Sequence, residues 1–296
     1  MLPSAEICQV SGAARTTGRT ATARSILITG CSSGIGYTCA SALKARGWRV
    51  FAACRRQVDC DRLAAEGFET VRLDYAEPAS IAAAVGHVLK ATGGTLDALF
   101  NNGAYSHPGA VEDVSPEHLR AVLETNVVGW YDLARRVLPA MRKQRHGRIV
   151  NCSSVLGFMA VRFTGAYAAS KYAVEGWSDA LRLELRGTDI FVSIIQPGPI
   201  KSRMTANAGM RFMETIDLRN SQFREAYGRE ISRLSGTGRG SAFRMGPEAI
   251  VPPLIHALES PSPRARYRVT LPSQVGAWLK RLLPTSALDS VLIRQR

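Results

Sequence analysis

The sequence predicts a doubly wound α/β domain, a parallel sheet of about seven strands with helices on both faces, and three observations predict it. From residue 25 onward, short β-branched runs alternate with stretches long enough for helices, the pattern of βαβ units around a parallel sheet. The runs are apolar without alternation, as strands buried on both faces require. A glycine-rich turn follows the first run directly, at the strand end where such sheets bind ligands.

Each element has its own signal. Ser25-Ile-Leu-Ile-Thr29 reads as the first strand, and a helix follows the glycine turn to about Arg46. Arg49 to Ala53 is the second strand, Phe68 to Leu73 the third and Leu96 to Phe100 the fourth. The helix between the third and fourth begins near Pro78, whose fixed φ suits a first turn. Ser115-Pro116 opens another, with serine as cap and proline at the first helical position. Arg148 to Cys152 is the fifth strand, and a long helix through about Arg186 leads to the sixth at Phe191 to Gln196. A seventh is expected at Arg266 to Thr270. No fixed-period repeat is evident. The expected organisation is a flexible extension over residues 1–24, one domain over 25–271 and a helical tail over 272–296. Within the domain, residues from about 202 to 246 form the substrate segment.

Composition removes several function classes. With 46% hydrophobic and 21% charged residues, the 296-residue chain can fill a sizeable core. The net charge of +14 would suit a nucleic-acid binder, but the arginines are scattered and no recognition motif accompanies them, so no nucleic acid is expected. The cysteines (Cys8, Cys31, Cys39, Cys54, Cys60, Cys152) form no CxxC pair, and the histidines no HExxH, so no metal site is expected. They read as reduced thiols of a cytoplasmic protein. Cys60, between Asp59 and Asp61, is expected to be exposed. No stretch reaches the roughly 18 apolar residues of a membrane span. The first 24 residues lack a secretory apolar core; their Ala, Thr and Arg content fits a transit peptide, and a short disordered tail is the preferred reading.

The turn reads Thr29-Gly30-Cys31-Ser32-Ser33-Gly34-Ile35-Gly36. Glycines permit a tight bend and close backbone approach to a pyrophosphate, while the following helix presents free N–H groups and a positive dipole end to it. An NAD site needs a carboxylate near the end of the second strand for the ribose 2′-hydroxyl. None occurs from Val50 to Val58, where the chain instead reads Cys54-Arg55-Arg56. A guanidinium at Arg55 pairs with a 2′-phosphate, to which Ser32 or Ser33 can add a hydroxyl, so the expected cofactor is NADP(H).

Tyr167-Ala-Ala-Ser-Lys171 lies near a helix start, and residues four apart share a face. A phenol in water ionises near ~10. A neighbouring ammonium favours the phenolate, which makes Tyr167 a proton donor or acceptor for a carbonyl/alcohol pair. Lys171 is also available to a nicotinamide ribose. The glycine turn's G-x-x-x-G-x-G spacing, preceded by threonine, together with Tyr167-x-x-x-Lys171, resembles the short-chain dehydrogenase/reductase family and its Rossmann-type fold.

That resemblance runs from about residue 25 to 271, and it implies further roles. Asp74, after the third strand, corresponds to an adenine contact. Asn101-Asn102-Gly103-Ala104 stands where the family has Asn-Asn-Ala-Gly, which implies cofactor contacts at Asn102 and Gly103. Ser154, thirteen residues before Tyr167, matches the catalytic serine that hydrogen-bonds the substrate oxygen; adjacent Ser153 is the competing choice. Asn126 matches a helix asparagine that holds a water linking Lys171 to solvent. Pro197, Gly198 and Ile200 match the segment that meets the nicotinamide carboxamide. The motifs look most like a branch with 17β-hydroxysteroid and retinol dehydrogenases and bacterial NADPH-dependent aldehyde reductases. The stretch from Trp278 to Pro284 also looks like those reductases.

The expected activity is therefore reduction of an apolar aldehyde or ketone, since the loop Val155-Leu-Gly-Phe-Met-Ala160 is apolar and the substrate segment carries Met204, Met210, Phe212 and Met213. The rival reading is a non-catalytic NADPH-binding sensor or interaction protein on the same fold. A homodimer or homotetramer is expected. The tail could lie on an anionic membrane surface, but packing over the active-site mouth or against a second subunit is preferred.

Overall fold

The computed structural model describes residues 23–234 and 243–294. The expected N-terminal extension up to residue 22, together with Cys8, lies outside the described residues, as does part of the substrate segment. Seven strands form one parallel sheet: β1 (Ser25–Thr29), β2 (Arg49–Cys54), β3 (Glu69–Arg72), β4 (Ala98–Asn101), β5 (Gly147–Cys152), β6 (Ile190–Pro197) and β7 (Arg266–Val269). Their order is β3-β2-β1-β4-β5-β6-β7, so chain direction across the sheet reverses between β1 and β4. Ligands bind beyond the carboxyl ends of strands at such a switch point.

The strands are apolar because both faces are covered. Ile26, Leu27 and Ile28 of β1 are fully buried, each contributing about 1.5–3 kcal/mol of transfer free energy. Helices α1 (Gly34–Ala45), α2 (Gln57–Ala65) and α3 (Pro78–Ala91) connect the first four strands. Beyond β4 come α4 (Pro116–Leu123), α5 (Gly129–Gln144) and α6 (Gly165–Glu184). Ser115 caps α4 by accepting from the His118 N–H, with Pro116 at its first position. A π-helical turn, Glu124–Val128, joins α4 to α5 and carries Asn126. Such turns are frequent at functional sites.

Strand β4 starts later than expected. The Leu96 N–H donates to Gln144 Oε1, while the Asp97 carboxylate accepts from both the N–H and the hydroxyl of Ser25, so side chains take the place of ladder bonds there. Cys60 is buried on the inner side of α2, with its thiol toward the Cys54 carbonyl. The expectation of exposure fails because Cys60 and Leu63 form the inward stripe of a helix whose outer positions take Asp59 and Asp61.

The substrate segment folds into α7 (Met204–Thr215) and α8 (Arg224–Leu234). They share a small second core of Ala110, Ala208, Phe212, Ile216 and Tyr227. The Tyr227 hydroxyl donates to Asp113 and accepts from the Ala110 N–H, which fastens α8 to the loop after β4. Helix α9 (Val251–Glu259) packs on α1, and α10 (Leu271–Leu282) and α11 (Thr285–Arg294) form the tail. Among the described residues no helix is long and apolar enough to cross a membrane.

Candidate active site

A buried hydrogen-bond chain fixes the switch point. Tyr75 donates to Asn101 Oδ1 at 2.7 Å and lies 2.8 Å from Thr29 Oγ1; Asn101 donates to Asn151, and Asn151 to Ser178. These side chains tie the ends of β1, β4 and β5 together where a slip would misplace the site. Thr29 Oγ1 also accepts from the N–H groups of Asn102 and Gly103, and the Asn102 amide donates to the Thr29 carbonyl. The loop after β4 is thereby locked onto the glycine turn.

The turn needs its glycines. Gly30 has φ +69°, and a Cβ there would lie 2.6 Å from Gly103 Cα; a Cβ on Gly36 would lie 2.3 Å from the Gly30 carbonyl oxygen. Gly103, where the family has alanine, therefore meets Gly30 backbone to backbone. Ser33 caps α1 in an extended conformation without a side-chain hydrogen bond to the helix, so the N–H groups of Gly34, Ile35 and Gly36 open the helix without a protein acceptor from that cap. A helix start of that kind fits an anionic phosphate.

At the end of β2, Arg56 pairs with Asp59 at 2.9 Å, while Arg55 is exposed and has no carboxylate partner among the described residues. Sequence reasoning missed Arg62: it reaches back from α2 to donate to the Ser32 carbonyl at 2.8 Å, and so braces the turn. No motif flags it; only the packing of α2 does. Asp74 is half-buried, and its carboxylate accepts from the Ala76 N–H.

The reactive side chains gather on α6 and the loop after β5. Tyr167 and Lys171, one turn apart, are both buried, and Lys171 Nζ sits 5.6 Å from the Tyr167 ring centroid. The ammonium donates to the Cys152 carbonyl at 2.9 Å and lies 4.2 Å from the Trp130 ring centroid. Trp130 was not singled out from the sequence. It is fully buried on α5, one turn after Asn126, and its indole N–H donates to the Gly103 carbonyl, so one side chain touches both the cofactor loop and Lys171.

Burial pulls the Lys171 ammonium down to about 8, against smaller opposing contributions from Cys152 and Glu175. It also holds the Tyr167 phenol well above its ordinary value; Cys152 adds to the rise and hydrogen bonding with Ser154 opposes it. The expected net bias toward phenolate is thus not found in the protein alone. Desolvation dominates, and it favours the neutral, proton-bearing phenol.

Ser154 caps a 3₁₀ turn, accepting from the Leu156 N–H at 3.1 Å, and acts to lower the pKa of the Tyr167 phenol. Ser153 is buried with its hydroxyl against Gly157, where a Cβ would come within 2.3 Å of it. Asn126 uses its side chain to hold the loop after β4: Oδ1 accepts from the Tyr105 N–H, and Nδ2 donates to the Tyr105 carbonyl and Ser170 Oγ. Gly198 donates to the Val269 carbonyl and packs on Thr270, while Ile200 pairs with Met245, so Pro197 to Ile200 is held at the start of the substrate segment. Gly276 of α10 leaves room for Met159, and Lys280 donates to the Phe158 carbonyl and Tyr172 hydroxyl, which seats α10 on the apolar loop after Ser154. Its other side exposes Leu271, Val275, Trp278 and Leu282. No group of three or more His, Cys, Asp or Glu side chains among the described residues is placed to hold a metal.

Comparison with known proteins places this geometry. The short chain dehydrogenase family matches residues 24–211. The chain belongs to that family. It is 39% identical to the uncharacterized oxidoreductase YbbO of Escherichia coli K12, over 91% of this chain and 94% of that protein. To rat 17-beta-hydroxysteroid dehydrogenase type 6 it is 34% identical over 92% of this chain and 88% of that one. A variant of actinorhodin polyketide ketoreductase solved with NADPH shares 28% identity and superposes with a TM-score of 0.70, covering 86% and 97% of the two chains. A family member from Burkholderia phymatum solved with NAD has 25% identity and a TM-score of 0.72, covering 88% and 92%. As a short-chain dehydrogenase, the chain is an oxidoreductase of CH–OH/C=O groups, and its solved neighbours carry NADPH or NAD.

Proposed function

We propose that the protein is an NADP(H)-dependent reductase of apolar aldehydes or ketones with Tyr167 as proton donor. The observation that carries this reading is the buried Tyr167, one helical turn from the buried Lys171 ammonium, whose Nζ lies 5.6 Å from the phenol ring centroid. Gly30, Ser32, Ser33, Gly34, Ile35 and Gly36 would hold the pyrophosphate, and Arg55 the 2′-phosphate. Asp74 would meet the adenine, and Asn102, Gly103, Pro197, Gly198 and Ile200 the rest of the dinucleotide, with Tyr167 and Lys171 at the nicotinamide ribose. The cofactor, when bound, supplies hydride to the carbonyl carbon.

Tyr167 gives its proton to the carbonyl oxygen, and Ser154 donates a hydrogen bond to that oxygen as negative charge grows on it. Lys171, with its pKa lowered toward the working range, can pass a proton to the phenol after turnover. Asn126 acts indirectly, by holding Tyr105 and Ser170 in place. The apolar loop of Leu156 and Met159, backed by α10, favours a substrate with a hydrocarbon body; steroid-like or retinoid-like carbonyls fit that description. Cofactor oxidation is followed with a panel of aldehydes and ketones for wild type and Tyr167→Phe. Wild-type turnover of long apolar carbonyls, lost in the variant while NADPH still binds, is expected. Turnover that survives the substitution overturns the role of Tyr167, and a folded wild type that binds NADPH but turns over no member of the panel supports a binding protein instead.

A further inference from the structure

We propose that Arg211, on helix α7 of the substrate segment, is a further phosphate-binding residue for the cofactor, supplied from outside the glycine turn. The inference rests on the dinucleotide site proposed above and adds a residue that no cofactor motif contains. Four observations carry it. Arg211 is half-buried, and its guanidinium carbon lies 4.2 Å from the centroid of the Tyr105 ring. Tyr105 belongs to the loop after β4, two residues beyond Gly103, and its backbone is pinned by Asn126. Arg211 and Arg55 both act electrostatically on the Tyr105 phenol, opposing the larger rise that burial imposes. Neither has a carboxylate partner among the described residues, although Arg46, Arg49, Arg56 and Arg72 each find one.

With Arg211 stacked on Tyr105, Arg55 also acting on that phenol and neither arginine paired with a carboxylate among the described residues, an anion bound there would be favoured by both cations. The backbone says which anion. Ser202, just ahead of α7, lies against Gly34, whose Cβ would sit 3.4 Å from that of Ser202. The segment is zipped at its base, where Lys201 donates to the Met245 carbonyl and the Met245 N–H to that of Pro199. Helix α7 is anchored on its other side by Ala208 and Phe212 in the second core. Helix α7 therefore starts beside the glycine turn and carries Arg211 onto Tyr105. A guanidinium there reads phosphate oxygens through paired N–H donors. Both the 2′-phosphate and the pyrophosphate carry that chemistry.

The test measures dissociation constants of NADPH and NADH, by calorimetry, for wild type, Arg211→Met, Arg211→Lys and Arg55→Ala, with melting temperatures as a fold check. Arg211→Met is expected to weaken NADPH by roughly tenfold, the loss of one charge-assisted hydrogen-bonded contact, and Arg211→Lys to recover part of it. The salt dependence of binding should become shallower in Arg211→Met. A loss confined to NADPH assigns Arg211 to the 2′-phosphate; an equal loss for NADH assigns it to the pyrophosphate. Unchanged affinity for both dinucleotides in a folded Arg211→Met overturns this role, even if the KM for a carbonyl substrate rises, since that would place Arg211 on an anionic substrate. Failure of the NADP(H) reading shows elsewhere: wild type binding NADH as tightly as NADPH, with Arg55→Ala affecting neither.

Discussion

Lys171 is predicted to be a burden on the stability of the cofactor-free protein, and replacing it should reveal how large. Its ammonium is buried, and its pKa falls from the ordinary 10.5 to about 8. That difference corresponds to about 3 kcal/mol of destabilisation. The sign follows from proton counts. Between pH 8 and 10.5 the unfolded chain binds the proton that the folded chain has released, so stability rises with pH through this window; below pH 8 the whole cost is present. Arg-like or Lys-like charge is removed by Lys171→Met, which keeps the chain length and the apolar body. It also loses the hydrogen bond to the Cys152 carbonyl and the contact with the Trp130 ring, about 1–2 kcal/mol together. A net gain of about 1–2 kcal/mol at pH 7 is expected, a rise of roughly 4 °C in melting temperature for a chain of this size. The assay is thermal denaturation of both cofactor-free proteins from pH 6 to 10.5. The variant should melt higher at neutral pH and lose that advantage by pH 10.5. A variant that melts below wild type at pH 7, or a gap that does not change with pH, refutes the argument.

Two further substitutions probe the frame around the site. Tyr75→Phe removes the hydroxyl that lies on both Thr29 and Asn101, which leaves buried polar atoms short of a partner; a loss of about 1–3 kcal/mol is expected in denaturant titrations, and no loss would mean the chain of side chains does not hold the switch point. Gly36→Ala puts a methyl 2.3 Å from the Gly30 carbonyl oxygen, a backbone atom that cannot swing aside, so NADPH affinity should fall by more than roughly tenfold; a well-folded variant with wild-type affinity would show that the turn is not the phosphate cradle.

Much of this was legible in the sequence because the signals are local. The glycine turn, the strand runs and the capped start of α4 are each written in a few consecutive residues. The Tyr167–Lys171 pairing is equally local, set by one helical turn. The contributions of Trp130, Arg62 and Arg211 were not legible, because each depends on which element folds against which. Trp130 matters through the Gly103 carbonyl and the Lys171 ammonium, residues 27 and 41 positions away. Burial was misjudged in the same way at Cys60, where flanking aspartates suggested solvent and the helix turned the thiol inward. The direction of the Tyr167 shift was missed because sequence shows the neighbouring charge but not the solvent excluded from both groups.

The two opposite shifts share one cause, and that cause has a mechanistic consequence. Burial raises the proton affinity of the phenol and lowers that of the amine, so the protein alone keeps Tyr167 neutral and Lys171 near its point of half-protonation around pH 8. A phenol held neutral is ready to give a proton at once, but it would be slow to recover one from bulk solvent because it is buried. The amine beside it can lose and regain a proton close to neutral pH, while the Cys152 carbonyl and the Trp130 face keep it in place. A positive charge brought to the nicotinamide end would favour phenolate and disfavour the ammonium still further. The direction in which the pair works would thereby follow the charge at the nicotinamide end of a bound dinucleotide.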